Sequence, residues 1–179
     1  PALPGYDFEN DSDFSGVDQI AAELNSRLQE KGYAELDAVY GCSMGGSVAL
    51  LVALGQKIPI RHCIMDGGIT PYRLPWLLTR FIALKDYLMM MLGRAGGVAL
   101  LEKAFGTDDY SKEDLQYVAD VLRHCSRKTI WRTFESCNNY KVPDPVPKMD
   151  TKLHYWYAKG EEKERKRDIA YIKRRFPQT

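Results

Sequence analysis

The chain has 179 residues, 45% of them apolar and 27% charged, enough for one domain with a buried core and ordinary for a globular protein. Its formal net charge of +1 gives no electrostatic reason to bind nucleic acid or an acidic membrane, and no apolar run reaches the roughly 18–20 residues that a spanning helix needs. The first residues, PALPGYDFEND, carry neither the basic nor the apolar segment of a secretory leader.

Pro4-Gly5 and the polar stretch to Asp13 read as a loop. The spacing of Ile20, Leu24 and Leu28 predicts a helix from about Val17 to Lys31, stopped by Gly32. Leu36 to Tyr40 is a short apolar run that meets a glycine-rich turn, as a buried strand does. Ser47 to Leu54 is apolar all round, as expected of a helix packed on a sheet, and Ile60 to Met65 is the next strand, closed by Asp66-Gly67-Gly68. From Thr70 to Lys148 the pattern is helical, with runs at Leu74–Leu92, Val98–Phe105, Lys112–Cys125 and Lys128–Asn138. Ser111 to Asp114 resembles a capping box with Asp in place of Glu. Three prolines in Val142–Pro147 break that pattern. Lys152–Ala158 is strand-like, and Glu161 to Phe176 reads as a charged helix whose Ile169, Ile172 and Phe176 form a buried stripe. Interleaved carboxylates make its basic residues a solvated face.

Alternating strands and helices favour a parallel sheet flanked by helices, an α/β fold. A helical block set between two of its strands is a lid. The expected divisions are a core at 1–69, a helical lid at 70–148 and the C-terminal part of the core at 149–179. Trp76, Leu77, Phe81, Leu84, Leu88 and Met89–Leu92 make the first lid helix apolar on more than one face, which suits contact with both the core and an apolar ligand. Much of this stripe is expected to be core. Gly93, Gly96 and Gly97 are candidate hinges.

Gly41-Cys42-Ser43-Met44-Gly45 fits G-x-S-x-G, with a strand before it and a helix after it. A serine at such a turn sits in strained backbone, and Gly41 and Gly45 let neighbouring chains approach closely. Met44 N–H would then point to where an acyl oxyanion forms, with the helix N-terminus adding favourable partial charge. Gly46 suits the same crowding. Cys42 is wrongly placed to attack and is expected to pack. With Cys63, Cys125 and Cys137 it shows no CxxC spacing, so the four are expected as buried free thiols, which implies a cytoplasmic location.

On these residues the chain resembles an α/β-hydrolase of the lid-bearing kind, the group of esterases, lipases and proline iminopeptidases. Leu3-Pro4-Gly5-Tyr6 resembles the family's loop after its fourth strand, Ile64 to Gly67 the end of the sixth, and Leu153 to Tyr157 the seventh. The resemblance implies a serine hydrolase that cleaves an ester or similar acyl bond through an acyl-enzyme on Ser43, without a metal or organic cofactor. It also implies that four strands before the Leu-Pro-Gly loop, and a histidine after an eighth strand, lie outside these residues. His62, His124 and His154 are expected to be structural. For the acid, the family's usual position after the seventh strand falls on Lys163, so Glu161 or Glu162 would stand in. Asp66, ending the strand after the turn, is the alternative. The implied partner is a small apolar acyl or ester substrate, with self-association through bare sheet edges a further expectation. The rival reading is a non-catalytic binding protein with an incomplete triad.

Overall fold

Stripes of apolar residues at helical spacing, separated by short runs rich in β-branched and apolar residues, yield six helices and three strands among the residues that the computed structural model describes, 3–9, 11–71, 74–105 and 110–178. Asn10 in the N-terminal loop, and Tyr72, Arg73 and 106–109 in the helical block, lie outside them, as do the side chains of Ala104 and Phe105. By contact, the described chain divides into two units. One holds Leu74–Glu135 with the N-terminal segment up to Ser15, and the other holds the rest.

In the second unit, α1 (Val17–Glu30) buries Val17, Ile20 and Ala21 along one side. β1 (Leu36–Cys42), β2 (Ile60–Asp66) and β3 (Lys152–Trp156) form a parallel sheet in the order β1-β2-β3, in which Cys42 pairs with Asp66 and Asp66 with Trp156. Between β1 and β2 runs α2 (Met44–Leu54), which starts three residues earlier than its apolar run suggested. It packs on both strands and on α1, so it has no solvent side to make polar, and Gly46–Leu50 and Val52–Leu54 are all buried. The Asn25 amide donates to the Val52 carbonyl at 3.3 Å, which pins α1 to α2.

The face of the sheet toward α2 carries Cys63, Met65 and Leu153, all buried. The opposite face carries Tyr40, Cys42, Asp66 and Trp156 and is exposed or half-buried. β1 is therefore not the buried strand its apolar run suggested. It stands at the sheet edge, with Ala38, Tyr40 and Cys42 open. Cys42 likewise does not pack. It is an exposed thiol, because the period-2 alternation of β1 sends it to the open face. Cys63, Cys125 and Cys137 are buried and free, as expected.

β3 ends at Trp156. A 3-10 turn (Lys159–Glu161) follows, and the charged helix α6 spans only Lys166–Arg175, five residues later than its composition suggested. Ile172 and Phe176 are fully buried, while Ile169 is half-buried.

In the first unit, α3 (Trp76–Phe105) bends at Gly97, whose φ of 57° and ψ of −152° interrupt the helix. Of the three glycines expected as hinges, the bend falls on this one. α4 (Lys112–His124) opens with the anticipated capping box: Ser111 Oγ accepts Asp114 N–H at 3.1 Å, and the Asp114 carboxylate accepts Ser111 N–H at 3.0 Å. Leu101, Leu115 and Ala119 pack together where α3 meets α4. The N-terminal loop is fastened to α5 (Arg127–Cys137) by Phe14 N–H donating to Thr129 Oγ1 at 3.0 Å and by a 2.6 Å bond between Tyr6 Oη and Thr133 Oγ1. Phe14 is fully buried, a contribution of about 2–3 kcal/mol. The apolar stripe of α3 is mostly not core: Trp76, Leu77, Phe81, Leu84, Leu88, Met89 and Leu92 are each more than two-fifths exposed. No helix among the described residues is long and apolar enough to cross a membrane.

Candidate functional site

The turn between β1 and α2 is built by close packing of backbone on backbone. A Cβ added at Gly41 would lie 1.9 Å from the Gly45 carbonyl oxygen and 2.6 Å from Gly46 N. One added at Gly46 would lie 2.8 Å from Gly68 Cα, because the start of α2 rests on the turn that follows β2. A Cβ at Gly45 would meet nothing within 4 Å. The crowding expected of Gly41 and Gly45 alike thus belongs to Gly41 and Gly46, while Gly45 supplies the backbone against which Gly41 packs.

That packing forces Ser43 into a conformation that side-chain-bearing residues rarely adopt, with φ of 51° and ψ of −119°. Strain of this kind costs of order 1–3 kcal/mol. It is held by the Ser43 N–H, which donates to the Asp66 carbonyl at 2.8 Å, and by Gly46 N–H, which donates to the Ser43 carbonyl at 3.0 Å. Ser43 is exposed. Met44 is the first residue of α2, so no helical carbonyl one turn earlier accepts its N–H.

Around the serine the parallel register brings the strand ends together. Asp66 closes β2 beside Cys42, and its Oδ2 accepts the Tyr40 hydroxyl at 2.7 Å, a bond that raises the Tyr40 pKa. Tyr40 in turn stands against Trp156, with ring centroids 6.4 Å apart. Sequence reasoning passed over Tyr40, although the alternation that puts positions 40 and 42 on one face of β1 was the signal for it. Glu161 and Glu162 are placed differently. Glu161 caps the Ala158 N–H at 3.4 Å and lies 3.8 Å from Arg165, while Glu162 is exposed at the end of the 3-10 turn. Arg165 leans over Gly67, with a Cβ there 3.2 Å from its guanidinium, and so links Glu161 to the Asp66–Gly67 corner.

The chain leaving β2 is a strap tied at every residue from Gly67 to Thr70. Gly67 N–H donates to the Trp156 carbonyl at 2.8 Å, and the Tyr155 hydroxyl donates to Gly68 O at 2.9 Å. Ile69 O accepts both Ser47 Oγ and Tyr140 Oη at 2.7 Å. Thr70 N–H donates to Asp168 Oδ1 at 2.9 Å, and Arg167 donates to Thr70 O at the same distance. Burial raises the Tyr140 and Tyr155 pKa values above the ordinary phenol value, which favours the protonated, hydrogen-bond-donating form of both. None of these anchors was legible as such in the sequence.

The three histidines are engaged elsewhere. His62 and His154 bond to each other at 2.9 Å, and the His124 ring bonds to the Asp7 carbonyl oxygen at 2.9 Å in the helical unit. Among the described residues, no three metal-ligating side chains cluster to hold an ion.

The thiols give a direct check of the open strand end. Burial pushes the Cys63 and Cys137 thiols up to about 12 and raises Cys125, whereas Cys42 is exposed. Because the thiolate is the reactive form, a titration of the native protein with an aromatic disulfide reagent at pH 8 is expected to consume one thiol quickly and three only on unfolding. A Cys42→Ser chain that retains a fast thiol would contradict this placement of β1.

A three-stranded parallel sheet, a helix launched from a strained serine turn at the tip of its first strand, and a helical insertion before its last strand together constitute the α/β-hydrolase fold. The particular likenesses are to solved structures. N-formylmaleamic acid deformylase from Pseudomonas putida S16 superposes with a TM-score of 0.69 at 20% identity, over 99% of this chain and 69% of that one. An alpha/beta hydrolase family protein from Desulfitobacterium hafniense does so at 0.61 and 19% identity, over 88% of this chain and 62% of that one. Homoserine O-acetyltransferase from Staphylococcus aureus gives 0.58 at 12%, over 87% and 55%. The chain thus spans less than two thirds of the last two. No protein-family model matches it, and neither does any curated protein.

Proposed function

We propose that this chain carries the nucleophile of a serine hydrolase, acting on an ester or similar acyl bond. The observation that carries the reading is the backbone of Ser43: a serine held at positive φ on an exposed strand-to-helix turn, with Gly41 before it and Gly46 after it packed so tightly that neither has room for a side chain. Strain kept at one exposed hydroxyl is what a nucleophile elbow requires. In this reading Ser43 Oγ attacks the acyl carbon and the Met44 N–H stabilises the oxyanion. The hydroxyl proton passes to a histidine that is none of the three in this chain, and the acyl-enzyme is then hydrolysed. Asp66 is the acid. Its carbonyl already orients Ser43, Tyr40 holds one carboxylate oxygen, and the other is left to accept from an imidazole. Glu161 and Glu162 are the rival acids, so Asp66→Asn should depress acyl turnover far more than Glu162→Gln. The exposed apolar residues of α3 support the lid assignment and an apolar acyl group, and a small substrate of that kind fits a cytoplasmic enzyme without metal or cofactor.

The engagement of all three histidines favours one second reading, a binding protein that keeps the fold without turnover. Intact-mass labelling with a fluorophosphonate distinguishes the two. The hydrolase reading expects one adduct, lost in Ser43→Ala, when the chain is assayed together with the residues that supply the histidine. A folded protein that never labels leaves the binding reading. Ser43→Gly adds a second readout: relieving the strain should raise stability by about 1 kcal/mol while abolishing the adduct.

A further inference from the structure

Two imidazoles meet on the open face of the sheet, several residues back from the Ser43 turn. The register pairs His62 of β2 with Lys152, and His154 of β3 with Ile64, so the two histidines sit one step apart on neighbouring strands and on the same face. Their ring centroids are 5.1 Å apart with planes at 36°, and His62 Nδ1 lies 2.9 Å from His154 Nε2. One proton bridges the two nitrogens, and both rings are half-buried. Neither ring has a part in the hydrolytic reading.

We propose that His62 and His154 form a two-histidine site for a divalent transition-metal ion with high affinity for imidazole nitrogen, copper(II) or nickel(II). Neutral imidazole nitrogens bind such ions at about 2.0–2.1 Å. The 2.9 Å between the rings is the length of an N–H···N hydrogen bond, so both nitrogens already stand within reach of a single ion. A rotation of each ring exchanges that hydrogen bond for two metal bonds, the donor imidazole shifting its proton to its other ring nitrogen. Water fills the remaining positions, since no third ligating side chain stands with the pair among the described residues. Binding is therefore weaker than in a closed four-ligand site. Lys152, exposed and in register with His62, disfavours weakly held cations such as magnesium and calcium. Copper(II), at the top of the affinity order for nitrogen sites, is bound tightest.

The test is a copper(II) titration of the Cys42→Ser chain, chosen because the exposed thiol would otherwise reduce or capture copper. Calorimetry should give one ion per chain, and electron paramagnetic resonance should show two equatorial imidazole nitrogens. His62→Gln and His154→Gln should each weaken binding at least tenfold and leave one such nitrogen, whereas His124→Gln should change neither. Unchanged affinity and signal in the first two variants would overturn the site. In case either substitution disturbs the sheet, nickel(II) added to the unsubstituted chain gives an independent answer by nuclear magnetic resonance. Paramagnetic broadening should strike the His62 and His154 ring signals first, and broadening that begins elsewhere also overturns the proposal.

Discussion

Replacing Gly41 with alanine is expected to cost more than about 4 kcal/mol, a large share of the about 5–15 kcal/mol that domains hold in reserve. The new methyl would lie 1.9 Å from the Gly45 oxygen and 2.2 Å from its carbonyl carbon, and both are backbone atoms of a helix start. No rotamer change can relieve that contact. Either β1 or α2 must move, and α2 is buried along nearly its whole length. Gly45→Ala is expected to do the reverse. Nothing stands within 4 Å of its Cβ position and it lies inside α2, so alanine should add about 0.5–1 kcal/mol through helix propensity and a stiffer unfolded chain. Urea unfolding followed by circular dichroism measures both. Two variants of equal stability, or a Gly41→Ala chain as stable as its parent, would mean that the turn is not packed this way.

The two glycines look identical in the motif, and that is instructive about what a sequence reveals. Periodicity and punctuation located every strand and every long helix, because burial on one face leaves a repeating mark and a strand-to-helix turn needs glycine at defined positions. The Ser43 turn was legible for that reason, down to the strand before it and the helix after it. Four features were not. The start of α6 was hidden because Glu, Lys and Arg have nearly equal helix propensities, so a charged run does not show where a capped turn becomes a helix. The exposure of Cys42 and Tyr40 depends on which face α2 covers, and an apolar strand sequence does not state this. The apolar side chains of α3 looked like core because composition records hydrophobicity and not what covers it. The difference between Gly41 and Gly45 arises from a contact across the turn rather than from anything local to either residue.

The anchors of the strap are long-range in the same sense, and removing the strongest should be felt at Ser43. Asp168, whose side chain is 13% exposed, accepts both the N–H and the hydroxyl of Thr70, a fully buried residue. Asp168→Ala would leave two buried donors unsatisfied at about 1–3 kcal/mol each, so a loss of about 2–6 kcal/mol is expected. Asp168→Asn keeps an acceptor oxygen in place and should cost less. The strap begins at Asp66, whose carbonyl fixes the Ser43 N–H, so slack at Thr70 should also slow acylation of Ser43 in protein that remains folded. A double-mutant cycle separates this bond from a general loss of packing. Thr70→Val removes one of the two stranded donors in advance, and the pair Thr70→Val with Asp168→Ala should cost less than the sum of the single changes by at least about 0.5 kcal/mol. Strictly additive costs, with an unchanged acylation rate, would show that Asp168 fastens nothing that Ser43 depends on.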